Sequence, residues 1–323
     1  ISEGNSIKVT NIEDVGPFNY VAAAFGPSLS KDPIIADLLL AVDGSTVGDE
    51  SDGIGGTTSD ACQGLTSANA TSMNGKVALI TGGTSGIGAE TARLFASEGA
   101  KVLIVGRSKE KGQALAEDLG ENVIYEMADI TKEEDIKNSV KATLKYFNQL
   151  DILFNNAGGP VGAGIENVTQ KDIDYGVHLL LASVILGIKY AIEPMKAIGG
   201  GSIINNSSIA ALRYRQGDPL YAALKAGVTH YTRMAGVELG PHNIRVNSIS
   251  PGAIATPIFY GGSERANELT KEENERKMEK LRVNLAKAVP LKRSGLPIDI
   301  AEAALYLAGN AGSFVTCQDI IVD

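Results

Sequence analysis

From Lys76 onward, short apolar runs alternate with longer stretches of helical period. The runs are KVALI (76–80), KVLIV (101–105), NVIYEMA (122–128), DILFNNA (151–157), SIINNSS (202–208) and IRVNSIS (244–250). Runs without regular polar alternation read as strands buried on both faces, and strands that alternate with helices read as βαβ units of a parallel sheet. The expected fold class is α/β, a doubly wound parallel sheet filling residues 73–323. Its ligand should then lie beyond the carboxyl ends of the strands, where the loops carry the chemistry.

Residues 1–72 do not share this pattern. Asp43 to Ser72 is rich in Gly, Ser, Thr and Asp, has no Lys or Arg, and shows neither a helical nor a strand period, as a linker does. Only Pro33 to Val42 suggests a short helix. The first 75 residues hold ten acids and two bases, so they carry eight of the nine net negative charges of the 323-residue chain. We read residues 1–72 as an acidic extension on a nearly neutral body. That balance argues against nucleic acid as a partner, because neutralising phosphates needs a basic surface. No apolar run approaches the roughly 20 residues of a membrane span, and no secretory leader is evident in the first 30, so a cytoplasmic protein without membrane contact is expected. Two distant cysteines, Cys62 and Cys317, and three scattered histidines form no metal-ligand spacing, so no metal is expected.

Directly after the first strand comes Thr81-Gly82-Gly83-Thr84-Ser85-Gly86-Ile87-Gly88, followed by a helical run. Glycines at such a turn permit positive φ and close approach of the main chain to a ligand, and the helix start offers N–H groups and a positive dipole end to a diphosphate. Strand, turn, helix and second strand follow in order, which points to a dinucleotide. A carboxylate ending the second strand would bind the ribose hydroxyls and repel a 2′-phosphate; this chain has Gly106-Arg107-Ser108 there. An arginine fork can pair with that phosphate, so NADP(H) is expected, with NAD(H) as the alternative.

Tyr221 and Lys225 stand one helical turn apart and share a face. A phenol beside an ammonium is pushed toward its phenolate, and such a pair suits proton transfer. With these residues on the page, the chain resembles the short-chain dehydrogenase/reductase family in its short form, across residues 73–323. The motifs that carry the likeness are the TGxxxGxG turn at Thr81–Gly88, Asp129, Asn155-Asn156-Ala157-Gly158, Ser208, Tyr221 with Lys225, and Asn247 with Pro251-Gly252 and Thr256.

The resemblance implies a Rossmann-type fold and hydride exchange between a nicotinamide and a secondary alcohol or ketone. It implies that Tyr221 exchanges the proton, that Ser208 positions the substrate oxygen, and that Lys225 holds the nicotinamide ribose and lowers the tyrosine pKa. Ser208 is preferred to Ser207 because it precedes Tyr221 by the family's 13 residues. The cofactor would meet Gly82, Thr84, Ser85, Gly86, Ile87 and Gly88 at the turn, and Arg107, Asp129 and Ile130 at the adenosine. It would meet Asn155, Ala157 and Gly158 along the fourth strand, and Pro251, Gly252, Ile254 and Thr256 at the nicotinamide end. The resemblance also implies a homo-oligomer, tetramer or dimer.

One departure stands out. Leu180 occupies the position where the family usually has a relay asparagine, and His178, about 200° away around a helix, should face elsewhere. This departure and the acidic extension motivate a second reading, a non-catalytic dinucleotide-binding scaffold of the same fold. The loops Ile209–Arg215 and Pro257–Tyr260 should border a mostly apolar substrate pocket, with the charged helical stretch from about Glu264 to Lys287 as its lid. Arg213 or Arg215 could greet an anionic substrate there.

Overall fold

The computed structural model describes residues 73–162 and 164–323. The extension 1–72, its suggested helix at 33–42 and Cys62 lie outside the described residues.

Seven strands form one parallel sheet: β1 (Val77–Thr81), β2 (Lys101–Gly106), β3 (Val123–Met127), β4 (Ile152–Asn155), β5 (Gly201–Asn206), β6 (Ile244–Pro251) and β7 (Asp319–Val322). Their spatial order is β3-β2-β1-β4-β5-β6-β7. The chain winds outward from β1 through β2 and β3, then crosses back to place β4 on the other side of β1, with Leu79 opposite Leu153. That reversal is the topological switch point, where a crevice must open above the strand ends. All six runs expected to be strands are strands. The seventh strand was not anticipated; it is a short edge strand, partly exposed, with no helix after it.

Helices cover both faces. On one face lie α1 (Gly86–Ser97) and α8 (Pro297–Ala308), and with α2 (Lys109–Leu119) they bury Phe95, Leu115 and Ile300 against Ile80, Ile104 and Phe154 of the sheet. On the other face lie α3 (Glu133–Phe147), α4 (Gln170–Ala197) and α5 (Pro219–Leu239), which bury Val140, Ile188 and Val228 against Leu79, Leu103 and Leu153. Where helices cover both faces of a strand, its residues are buried on both: β1 is buried at all five positions.

Helix α4 is 28 residues long and apolar enough to cross a membrane, an element longer than any apolar run read from the sequence. Here it is a sheet-packing helix, with Val184, Ile188, Ala191 and Met195 in the core. Residues Val177–Ala182 within it are wound as a π-helix. Two further helices, α6 (Gly262–Asn267) and α7 (Lys271–Leu285), make up the stretch read as a lid.

Candidate active site

A cleft of about 720 Å³ opens at the carboxyl ends of the strands. Its first wall is the turn after β1. Gly82 and Gly86 have φ of +64° and +54°, a left-handed backbone that only glycine adopts without strain. A Cβ on Gly82 would lie 2.8 Å from Ala157 Cα, so the turn is pressed directly onto the chain after β4. Ser85, the N-cap of α1, makes no side-chain bond to the first turn, and Ser85, Gly86 and Ile87 line the cleft. The helix start thus keeps amides available for a ligand, with no carboxylate in its first turn to compete with an anion. This cradle fits a dinucleotide diphosphate.

Gly82 and Thr84 also line the cleft, but Gly88 does not. A Cβ there would overlap the Gly82 carbonyl oxygen and come within 2.5 Å of Asn156 Nδ2. Gly88 lets α1 close onto the turn; it packs rather than contacts.

The second wall follows β2 and β3. Arg107, Asp129 and Ile130 line it. Burial pushes the Asp129 carboxyl up, but hydrogen bonds from Thr131 (Oγ1 at 2.8 Å, N at 3.1 Å) and the nearby charges of Arg107 and Lys132 outweigh this and hold it below its ordinary value.

The turn after β4 is fixed by Thr81, whose hydroxyl accepts from the main-chain N–H groups of Asn156 and Ala157, both at 3.0 Å. Ala157 and Gly158 line the cleft, and so does Asn156, which the sequence reading left without a role. Asn155 is not in the cleft. Its amide is buried beneath it and donates to Asn205 Oδ1 at 2.9 Å, against a close approach of Gly187. Strand alternation explains this: neighbouring residues point to opposite faces, so one asparagine of the pair supports the sheet and the other borders the ligand space.

The third wall joins β5 to α5. Ser208, Tyr221 and Lys225 converge on the cleft, as their spacing predicts. Ser208 Oγ accepts from Ala210 N at 3.1 Å, and its hydroxyl is close enough to the Tyr221 phenol to favour the phenol's ionised form. Ser207 is turned away: its hydroxyl donates to the Lys225 carbonyl at 3.0 Å and meets Thr229 at 2.6 Å. Helix α5 begins on Asp218, whose carboxylate accepts from Tyr221 N at 2.8 Å, with Pro219 in the first turn. Gly217 (φ +93°) lies against the phenol ring, where a Cβ would come to 3.3 Å.

The electrostatics correct one expectation. Burial pushes the Tyr221 phenol above its ordinary value; the Ser208 hydrogen bond opposes this and the Asp218 charge adds to it. Lys225 Nζ sits 5.8 Å from the phenol ring centroid, yet the phenol is not lowered. The lysine itself is fully buried, and desolvation brings it down to about 8. The amine therefore loses its proton below the pH at which the raised phenol titrates, and is no longer a cation where the phenolate would form. Its hydrogen bond is to the Asn206 carbonyl, at 2.6 Å. Asn206 was also missed by the sequence reading; its Nδ2 donates to Asn156 Oδ1 at 3.0 Å, which in turn ties to Thr81 and Gly82. Leu180 is buried in the π-wound segment, and both its Cδ2 and Lys225 Nζ lie within 4 Å of the space above Gly158. The position therefore faces the lysine but offers no polar group. His178 is exposed, with Nδ1 2.6 Å from the Asp174 carbonyl oxygen.

The fourth wall carries Pro251, Gly252, Ile254 and Thr256. Asn247 lies lower, binding the Val315 carbonyl and Gln318 N–H and so fixing β7 to β6. From α6, the Ser263 hydroxyl reaches across to Ser85 at 2.9 Å.

A doubly wound parallel sheet, a diphosphate cradle at its switch point and a Ser-Tyr-Lys cluster across from it define a nicotinamide-dependent oxidoreductase. Comparison with known proteins makes the class specific. A family model described as Enoyl-(Acyl carrier protein) reductase matches residues 82–323. A 3-oxoacyl-[acyl-carrier-protein] reductase of Chlamydia trachomatis is 36% identical over 252 residues, covering 77% of this chain and 96% of that protein. A mitochondrial borneol dehydrogenase of Lavandula x intermedia is 38% identical over 254 residues, covering 78% of this chain and 90% of that protein. Among solved structures, a 3-ketoacyl-(acyl-carrier-protein) reductase of Brucella melitensis complexed with NADH superposes with a TM-score of 0.70 at 34% identity, covering 78% of this chain and 98% of that one. The chain belongs to the short-chain dehydrogenase/reductase family and is an NAD(P)-dependent oxidoreductase acting on a small-molecule substrate. Nothing in these comparisons supports a non-catalytic scaffold.

Proposed function

We propose that the chain reduces a ketone to a secondary alcohol, or runs the reverse reaction, with NADP(H) as cofactor. The observation that carries this reading is the convergence of Ser208, Tyr221 and Lys225 on a cleft whose far end is the glycine turn. The bound nicotinamide supplies or accepts the hydride. Tyr221 holds the proton: its raised pKa keeps the phenol protonated at neutral pH, the form needed to protonate a developing alkoxide. Ser208, beside that phenol in the cleft, holds the substrate oxygen. Lys225, held by the Asn206 carbonyl, binds the nicotinamide ribose. Gly82 and Thr84–Ile87 cradle the diphosphate, Asp129 and Ile130 meet the adenine, Ala157 and Gly158 pack on the cofactor, and Pro251 to Thr256 receive the carboxamide end.

Arg107 supports the choice of NADP(H), because it directly follows β2, near where a ribose-binding carboxylate would otherwise stand. The substrate end is lined by apolar groups such as Leu179, Ile209, Ile258 and Phe259, which suits an apolar ketone body. The acyl-carrier-protein reductases among the relatives favour a second substrate reading, a 3-oxoacyl thioester. Exposed Met234 and Val237 on α5 support assembly as a homo-oligomer through that helix. Oxidation of NADPH and of NADH is to be followed with cyclic ketones and with an acetoacetyl thioester. Turnover with either class and preference for NADPH are expected; no turnover with any carbonyl would overturn the reading.

A further inference from the structure

Between the 3₁₀ turn Ile209–Ala211 and α5 the chain swings out, and from this bend Arg213 reaches Asp323 at the end of β7. The guanidinium is paired with Asp323 Oδ2, and both residues line the cleft. Asp323 Oδ1 accepts from Ala253 N at 3.2 Å, and Gly252 lies so close beneath the carboxylate that it has no room for a Cβ. The Asp323 side chain is only 14% exposed, whereas that of Arg213 is 58% exposed. The pair joins the bend after Ser208 to the loop after β6.

The charged groups at this end of the cleft are already engaged. Asp218 is engaged as the cap of α5, Lys225 is buried on the Asn206 carbonyl, and Arg213 and Asp323 neutralise each other. Among the lining residues here, Arg213 is the sole cation with water access, and it is already paired. The sequence reading of Arg213 as a receiver for an anionic substrate is therefore replaced.

We propose that Arg213 and Asp323 form a specificity-determining pair in which the carboxylate occupies the arginine of this wall, so that the cleft disfavours anionic substrates. An anionic substrate would have to displace Asp323 from the arginine, leaving the carboxylate with only the Ala253 N–H to hold it. This rests on the reading of the cleft as a carbonyl site, but its test needs no turnover.

Calorimetric titration of the full chain with benzoate and with benzamide, with and without NADPH, reads the preference directly. The native protein should bind benzoate no more tightly than benzamide. Asp323→Asn keeps an acceptor for Ala253 N while freeing the arginine, and should bind benzoate about tenfold more tightly than the native chain with benzamide unchanged. Adding Arg213→Met to that variant should remove the gain. Arg213→Ala, a change on an exposed bend, should instead tighten the cationic probe benzamidine about tenfold. Native preference for benzoate, or no shift of preference in either single variant, would overturn the proposal. Absence of carbonyl turnover alongside these shifts would sink the function reading and leave the pair standing.

Discussion

Where β1 meets the cleft the wall is main chain, made of Gly82, Gly86 and the uncapped start of α1; where β5 and α5 meet it the wall is side chain, made of Ser208, Tyr221 and Lys225. The first wall works through what is missing. Positive φ at both glycines disfavours any side chain, and at Gly82 an added Cβ would also lie 2.8 Å from Ala157 Cα. The second works through functional groups set on a rigid strand and helix, so that its chemistry can be removed while its shape stays. Changes at the first wall should therefore damage fold and cofactor binding together, and changes at the second should separate activity from stability.

Tyr221→Phe is the sharpest probe of that contrast. It should lower kcat about 10³-fold, roughly 4 kcal/mol of barrier, while the NADPH affinity and melting temperature stay near native values. Steady-state kinetics and fluorescence titration check both halves; retained turnover would break the contrast at its centre. Gly88→Ala is the counterpart on the first wall. Its Cβ runs into the Gly82 carbonyl and Asn156, so we expect about 3 kcal/mol of lost stability in denaturant titration and loss of cofactor binding in the same variant.

Lys225→Met should uncouple stability from function in the opposite direction. A lysine held near 8 in the fold against 10.5 in the unfolded chain binds fewer protons when folded between these values. Stability contributed by this group therefore rises as pH increases from about 8 to 10.5, and the destabilisation is fully present below 8. Replacing the amine with an apolar isostere should add about 2 kcal/mol at pH 7, flatten that pH dependence, and abolish turnover. Urea unfolding at pH 7 and pH 10 reads the difference. The smallest effect is expected at the cofactor's far end: Arg107→Ala should weaken NADPH about tenfold, near 1.4 kcal/mol, and leave NADH unchanged.

Much of this was legible before the fold was known. The five inner strands were legible because burial on both faces favours apolar runs, and the edge strand β3 was read with them because its NVIYEMA run is still mostly apolar; the other edge, β7, is four half-exposed residues and gave no such signal. Spacing favoured Ser208 over Ser207; both border the cleft, but the Ser207 hydroxyl is engaged by the Lys225 carbonyl and Thr229. Motif membership did not separate Gly88 from Gly86, or Asn155 from Asn156. In each pair one residue faces the ligand space and the other packs behind it, and only the register of strand against helix decides which.

The sequence by itself determined the local matters: strand runs, the glycine turn with positive φ, the Asp218-Pro219 start of α5, and the one-turn spacing of Tyr221 and Lys225. These depend on periods and backbone preferences that act over a few residues. Tertiary structure alone decided the protonation of the cluster and the charge of the substrate wall. Burial moved the phenol up and the amine down against the simple expectation for neighbours, and Arg213 met Asp323 across 110 residues of chain. Solvent exclusion and long-range pairing arise only when distant segments are packed together, so no local pattern encodes them.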